Sequence, residues 1–244
     1  MSNRLGRFHS EAERDFFAKR SRALADPAVT TELVADNPFL FMTRQEASDM
    51  LARLRLFDLV SNVPGYIVEC GVNRGNHTLL MSLMSTVTEP FALNRKIFGF
   101  DTFEGFRSVA AIDGDVRETD FRNDFNLHTL MNAIEIFDAN RPQHHFSKIE
   151  LIKGDAVETI PTWVKAHPEA QIALLYMDFD LYLPTLVALR ELTPLVPSGG
   201  VVAFDEFCYD GFAGETQAFR EVLKEGWVMK KFNFHPFVAY AVRA

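Results

Sequence analysis

From Pro64-Gly65 onward, short apolar runs alternate with helical patterns to the end of the chain, and no other feature restricts the fold as much. The runs are YIVEC (66–70), KIFGFD (96–101), KIELIKGD (148–155), QIALLYMD (171–178) and GGVVAFDE (199–206). Helical patterns separate them over Asn76–Val87, from 155 to about Lys165, over Pro184–Leu195 and over Gly214–Glu225. Alternation sustained over roughly 180 residues predicts a parallel sheet with helices on both faces. The segments WVMKKFNF and FVAYAVR flank a His235-Pro236 turn and predict a closing antiparallel pair, which makes the sheet mixed. Residues 104–141 interrupt the rhythm. They are polar and acid-rich, with a helix expected near Leu127–Asp138, and an insertion this long is expected to be a lid. At the other end, Thr43 and Glu46 form a capping box ahead of Ala47, Met50, Leu51, Leu54, Phe57 and Val60 at helical spacing. The expected division is therefore an extension over 1–42, with a helix over Glu11–Ala25, and a main domain over 43–244.

Composition narrows the function. Of 244 residues, 48% are hydrophobic and 24% charged, enough apolar content to bury a full core and too much for global disorder. A net charge of −8 argues against nonspecific binding to nucleic acid or anionic membrane. The longest charge-free run, Gly75–Thr88, is too short to span a bilayer, and the N-terminus lacks the apolar stretch of a secretory signal. With only 2 cysteines, Cys70 and Cys208, neither a disulfide framework nor a cysteine zinc site is expected, and a reducing cytoplasm is the expected setting. Phe is abundant, with 23 copies against 5 Tyr. Phe103, Phe106, Phe179, Phe204, Phe207 and Phe212 fall beside polar motifs, as the walls of a small-molecule pocket would.

Those polar motifs sit at strand ends. Glu69-Cys-Gly71-Val-Asn-Arg74-Gly75 joins the first strand to its helix, where glycines admit a ligand and the helix start offers free amides. Asn73 replaces the second glycine of the dinucleotide pattern, which argues against NAD. Asp101 ends the second strand as a candidate acceptor for ribose hydroxyls, or as an ordinary turn residue. Asp155 ends the third and opens a helix, where capping is an equal alternative. Asp178 and Asp180 close the fourth strand, Asp205 and Glu206 the fifth, with no Lys or Arg in either motif. Carboxylates crowded together raise each other's pKa or recruit a cation, and an oxygen-only set suits Mg²⁺.

Taken together, YIVECGVNRG, GFDTFEGF, LIKGDAVETIP, MDFDLYLPT and PSGGVVAFDEF resemble the macrocin O-methyltransferase family of natural-product biosynthesis. The resemblance implies a Rossmann-like class I methyltransferase fold, α/β with a seven-stranded mixed sheet, using S-adenosylmethionine and Mg²⁺ to methylate a sugar hydroxyl. It implies that Glu69, Gly71, Arg74, Gly75 and Asn76 hold the methionine part of the cofactor. Asp101, with Thr102 and Phe103, would take the ribose, and Asp155-Ala156 would flank the adenine. Asp178, Asp205 and Glu206 would bind Mg²⁺, and Asp180 would be the general base. The chain departs from the family pattern at Phe179, where Gly is common, and at Glu206, where a second Asp is common.

The expected acceptor is a small hydroxylated molecule, a sugar that is nucleotide-linked or carried on a glycoside, with a catechol-type acceptor as the alternative. An NAD-dependent oxidoreductase would share the fold, but Tyr176 and Tyr182 have no Lys four residues on. A non-enzymatic binder would leave four clustered acids without a purpose. The Phe-rich N-terminal segment predicts self-association.

Overall fold

The computed structural model describes residues 10–118 and 127–244, which divide into two compact units, Met1–Asp49 and Met50–Ala244. The first unit holds α1 (Glu11–Leu24) and α2 (Thr31–Asp36), and α3 (Arg44–Val60) begins in it. Ser10 and Glu13 form a capping box at the start of α1, and Thr30 caps α2. Thr43 and Glu46 form the expected box at α3, with Glu46 N–H donating to Thr43 Oγ1 at 3.1 Å and Thr43 N–H donating to Glu46 Oε2 at 2.7 Å. Arg20 ties this unit together by donating to Glu46 and to the Phe41 carbonyl. The short helix α2 carries no sustained apolar period and was not expected from the sequence.

The second unit is the alternating α/β body. Its strands are β1 (Tyr66–Cys70), β2 (Ile97–Asp101), β3 (Ile149–Lys153), β4 (Ile172–Met177), β5 (Val201–Phe204), β6 (Trp227–Lys231) and β7 (Ala239–Arg243). Its helices are α4 (Asn76–Thr88), α5 (Leu127–Ala139), α6 (Ala156–Ala166), α7 (Tyr182–Leu192) and α8 (Ala213–Val222). The strands form one seven-stranded sheet in the order β3-β2-β1-β4-β5-β7-β6, with β7 the only strand antiparallel to both its neighbours. The expected class I fold is therefore present. Within 104–141, the described parts are a 3-10 turn at Ala111–Asp113 and α5, while 119–126 lie outside the described residues, as do 1–9 of the extension. Among the described residues, no helix is long and apolar enough to cross a membrane.

Two apolar layers sandwich the sheet. Val68, Cys70, Phe98, Phe100, Leu175 and Phe204 pack with Ile160 and Trp163 of α6 and Leu189 of α7 on one face. Ile67, Ile97, Leu174 and Val201 pack with Leu56 and Phe57 of α3, Met81 of α4 and Leu130 of α5 on the other. Of the phenylalanines expected to wall a pocket, Phe204 and Phe212 belong instead to the buried core, and Phe207 packs on Phe204 and Phe219. They were misjudged because a strand end and a core position alternate residue by residue.

Register decides where chemistry falls. Cys70 is opposite Phe100 on one side and Met177 on the other, and Met177 is opposite Phe204. The carboxyl ends of β2, β1, β4 and β5 are thus level. The order reverses between β1 and β4, the point at which open α/β sheets leave a crevice. There the two central loops touch. Gly71, at φ 104°, lies so near the β4 end that a Cβ would stand 2.0 Å from the Asp178 carbonyl oxygen. Gly71→Ala should therefore lower unfolding free energy by at least about 2–3 kcal/mol. Gly226→Ala, at φ 83° with open space around it, should cost only about 1–2 kcal/mol of backbone strain. Urea denaturation compares the two, and equal losses would refute the close-approach argument.

Candidate active site

The crevice at the switch point is a cleft. It is lined by Gly71, Asp101, Thr102, Phe103, Asp155 and Ala156 together with Asp178, Phe179, Asp180, Leu181 and Pro184, and by Phe106 and Arg107 from the start of the insertion. The loop after β1 is anchored on both sides, by Gly71 N–H to the Phe100 carbonyl at 2.9 Å and by Asp178 N–H to the Cys70 carbonyl at 2.7 Å. Gly75 then turns the chain into α4 in the left-handed conformation, with no side-chain cap.

Asp101 organises the loops after β1 and β2. Its Oδ2 accepts from the Val72 and Asn73 amides at 2.9 and 2.7 Å, and its Oδ1 accepts from the Phe103 amide at 2.7 Å. One carboxylate thus fixes both the β1 loop and its own turn. Asp155 caps α6 by accepting from Val157 N–H at 3.0 Å, and it also accepts from the Ser108 hydroxyl at 2.6 Å. The two roles open to Asp155 in the sequence are compatible, because a capping carboxylate here still faces the cleft.

The acids of β4 and β5 have cationic company that neither motif contains. Arg53 of α3, only 2% exposed, donates from Nη2 to Asp205 Oδ1 at 2.7 Å, and its guanidinium lies 5.1 Å from the centre of the Tyr176 ring. The Tyr176 hydroxyl donates to the same oxygen. Burial pushes the Asp205 carboxyl up, but Arg53, His77 and the Tyr176 hydroxyl outweigh it and hold it below the usual range. Asp178 goes the other way. Burial, then the charges of Asp205 and Asp180, raise it well above the ordinary value, and Arg53 offsets this only in part. His77, on the first turn of α4, places Nδ1 3.8 Å from Asp178 Oδ2 and 3.4 Å from Glu69 Oε1. Glu69 itself is buried and accepts from the Thr78 hydroxyl.

A further acid lies beneath. Glu215 of α8 is fully buried, and its Oε2 accepts from the Glu206 amide at 3.3 Å. The backbone of Asp180 bonds the same carboxylate, so Glu215 ties the β4 loop to the β5 loop. Its carboxyl is raised well above the ordinary value by burial first and then by Asp180 and Asp205.

The structure thus brings Gly71, Asp101, Thr102, Phe103, Asp155, Ala156, Asp178 and Asp180 to one cavity. It sets Glu69, Arg74, Gly75, Asn76, Asp205 and Glu206 outside that wall, with Glu69 behind it and Arg74 on the surface. Among the described residues, no group of three or more His, Cys, Asp or Glu is disposed to hold a metal ion. Sequence reasoning missed Arg53, His77, Tyr176 and Glu215. One signal was available: Arg53 interrupts the apolar stripe of α3 between Ala52 and Leu56, where an unpaired charge would be costly.

Comparison with known proteins agrees with this fold. Residues 32–230 match the family model described as macrocin-O-methyltransferase (TylF). The 8-demethyl-8-(2,3-dimethoxy-alpha-L-rhamnosyl)-tetracenomycin-C 4'-O-methyltransferase of Streptomyces olivaceus is 30% identical over 62% of this chain and 56% of its own length. Mycinamicin III 3''-O-methyltransferase of Micromonospora griseorubida is 27% identical over 62% of this chain and 58% of its own length. The chain therefore matches less than two thirds of either relative. The crystal structure of the calicheamicin methyltransferase CalS11 superposes with a TM-score of 0.89, at 31% identity, covering 96% of this chain and 93% of that one. The family match spans most of the sequence and includes every strand-end motif, and on that ground the chain belongs to the macrocin O-methyltransferase family.

Proposed function

We propose that this protein transfers a methyl group from S-adenosylmethionine to a hydroxyl of a sugar, free on a nucleotide or carried on a glycoside. The observation that carries the reading is that Asp101, Asp155, Asp178 and Asp180 all line one cleft. A cleft that combines apolar walls with a few polar groups is the usual form of a small-molecule site. Membership in an O-methyltransferase family implies S-adenosylmethionine as the donor. Sugar acceptors are supported by the rhamnosyl substrate in the name of the tetracenomycin relative. They are also supported by CalS11, described as a TDP-rhamnose 3'-O-methyltransferase and 30% identical over 96% of this chain.

Bound S-adenosylmethionine supplies an electrophilic methyl group for in-line displacement, which leaves alignment and acceptor activation to the protein. Asp101 holds the β1 loop against the cofactor end and offers its carboxylate to the ribose. Phe103 and Phe179 give the cleft apolar walls. Asp180, at the acceptor end, accepts the proton that the sugar hydroxyl gives up. By residue type Asp178, Asp205 and Glu206 would be the oxygen ligands of Mg²⁺, but among the described residues they are not grouped to hold a metal ion, and Asp205 is paired with Arg53. A bound Mg²⁺ would lower the pKa of a ligated hydroxyl and favour vicinal diols.

Three outcomes test this. S-adenosylhomocysteine, and not NAD, should raise the melting temperature, and the gain should grow with ligand concentration. Asp101→Ala should weaken S-adenosylhomocysteine binding in calorimetry by at least about tenfold, since each lost bond to a charged acceptor is worth about 1.5–3 kcal/mol; unchanged affinity removes Asp101 from the site. With methyl α-L-rhamnoside and TDP-rhamnose as acceptors, Asp180→Asn should lower kcat by about 10²–10⁴ while the Mg²⁺ requirement stays the same. Full turnover of both acceptors by the wild type in EDTA would eliminate the Mg²⁺ part of the reading.

A further inference from the structure

The loop that carries Asp180 is held from an unexpected direction. Asp180 follows β4 in the left-handed conformation at φ 63°, and α7 begins two residues later at Tyr182. The residue at the N-cap of α7, Leu181, provides no side-chain hydrogen bond. The cap comes instead from Asp113, 69 residues earlier in the insertion, whose Oδ1 accepts from Tyr182 N–H at 2.8 Å. The other oxygen, Oδ2, accepts from Ala110 N–H at 2.7 Å and so fixes the 3-10 turn at Ala111–Asp113. Asp113 is 5% exposed. A Cβ on Gly214 would stand 2.8 Å from Asp113 Oδ1 and 2.4 Å from Tyr182 N, so the start of α8 presses on the same junction.

We infer that Asp113 is a positioning residue: it latches the insertion to the first turn of α7 and thereby sets the loop that presents Asp180 to the acceptor. The inference rests on the reading of Asp180 as the proton acceptor, and it adds a residue that touches neither cofactor nor acceptor. A carboxylate suits the task because its two oxygens serve two segments at once, and because the helix start favours a negative charge. Glu215 holds the same loop from below through the Asp180 backbone. With that support left in place, loss of Asp113 should loosen the far side of the loop without unfolding the domain.

Hydrogen exchange on the full chain with S-adenosylhomocysteine bound tests the latch without an acceptor. In Asp113→Ala, exchange across 179–183 should rise at least about tenfold along with that of 110–114, while the exchange of β1 and β4 stays at the wild-type level. Asp113→Asn keeps the Oδ1 acceptor for Tyr182 and should restore protection of 179–183 to within about threefold. Protection of 179–183 unchanged in Asp113→Ala, or not restored by Asp113→Asn, overturns the inference. Turnover of the rhamnosyl acceptors separates it from its premise. Asp113→Ala should lower kcat at least about tenfold, with acceptor KM and S-adenosylhomocysteine affinity within about threefold. In an Asp180→Asn background, the same change should add less than about threefold. If Asp180→Asn alone leaves kcat intact, the proton-acceptor reading has failed, and the exchange data still decide the latch. A kcat loss of equal size in both backgrounds shows that Asp113 acts elsewhere and sinks the proposal.

Discussion

The buried pairing of Arg53 with Asp205 is what allows two acid-bearing strand ends to lie side by side. Parallel register brings Met177 opposite Phe204, so Asp178 and Asp205 leave the sheet at the same level. Uncompensated, that many carboxylates at the edge of an apolar layer would protonate or force the strands apart. Arg53 and the Tyr176 hydroxyl both engage Asp205 Oδ1, which neutralises one acid of the group. Asp178, on the wall of the cleft, is raised well above the ordinary value by burial and by the charges of Asp205 and Asp180. Compensation is therefore directional. The protein's own groups hold the Asp205 carboxyl low and leave the Asp178 carboxyl raised.

Asp101 and Asp155 show the opposite economy. Asp101 accepts from three backbone amides and Asp155 from one amide and one hydroxyl. Each is fixed in place before any ligand arrives, and a carboxylate with about four lone-pair sites retains capacity for more donors. A preorganised acceptor loses little entropy on binding. The same residues thus shape the loops and face the cleft, and their structural bonds are part of what makes them useful to a ligand.

Strand–helix alternation made the sheet, its closing hairpin and α5 of the insertion legible in the sequence, because each depends on local period and turn chemistry. Even there the edges moved: α7 starts at Tyr182 rather than Pro184, and Thr193–Leu195 is a 3-10 turn rather than a last turn of helix. The strand-end acids were legible too, since the carboxyl ends of strands in such a sheet must border the crevice. Arg53 showed only as a charge in the apolar stripe of α3, its partner lying 152 residues away, and His77 and Glu215 sit on helices whose packing against the strand-end loops no spacing rule covers. Phe204 and Phe212 erred for the reverse reason. Adjacency to an acid in sequence says nothing about which face of the strand or loop a ring takes, and both rings went to the core.

These long-range partners share a pattern. Asp205 is held by α3, Asp178 is faced by α4, the Asp180 loop is bonded by α8 and, through Tyr182, by the insertion. The sheet alone fixes only where the backbone of each strand ends, to within the register of its ladder. Side-chain direction beyond the last paired residue is free unless something outside the ladder sets it. In this chain, three helices and one turn of the insertion do so, each through a side chain directed at the loop it steadies. A cleft built this way couples acceptor geometry to the packing of the surrounding shell. The departures at Phe179 and Glu206 fall on the same two loops, so their effect on the acceptor passes through that shell as well as through direct contact.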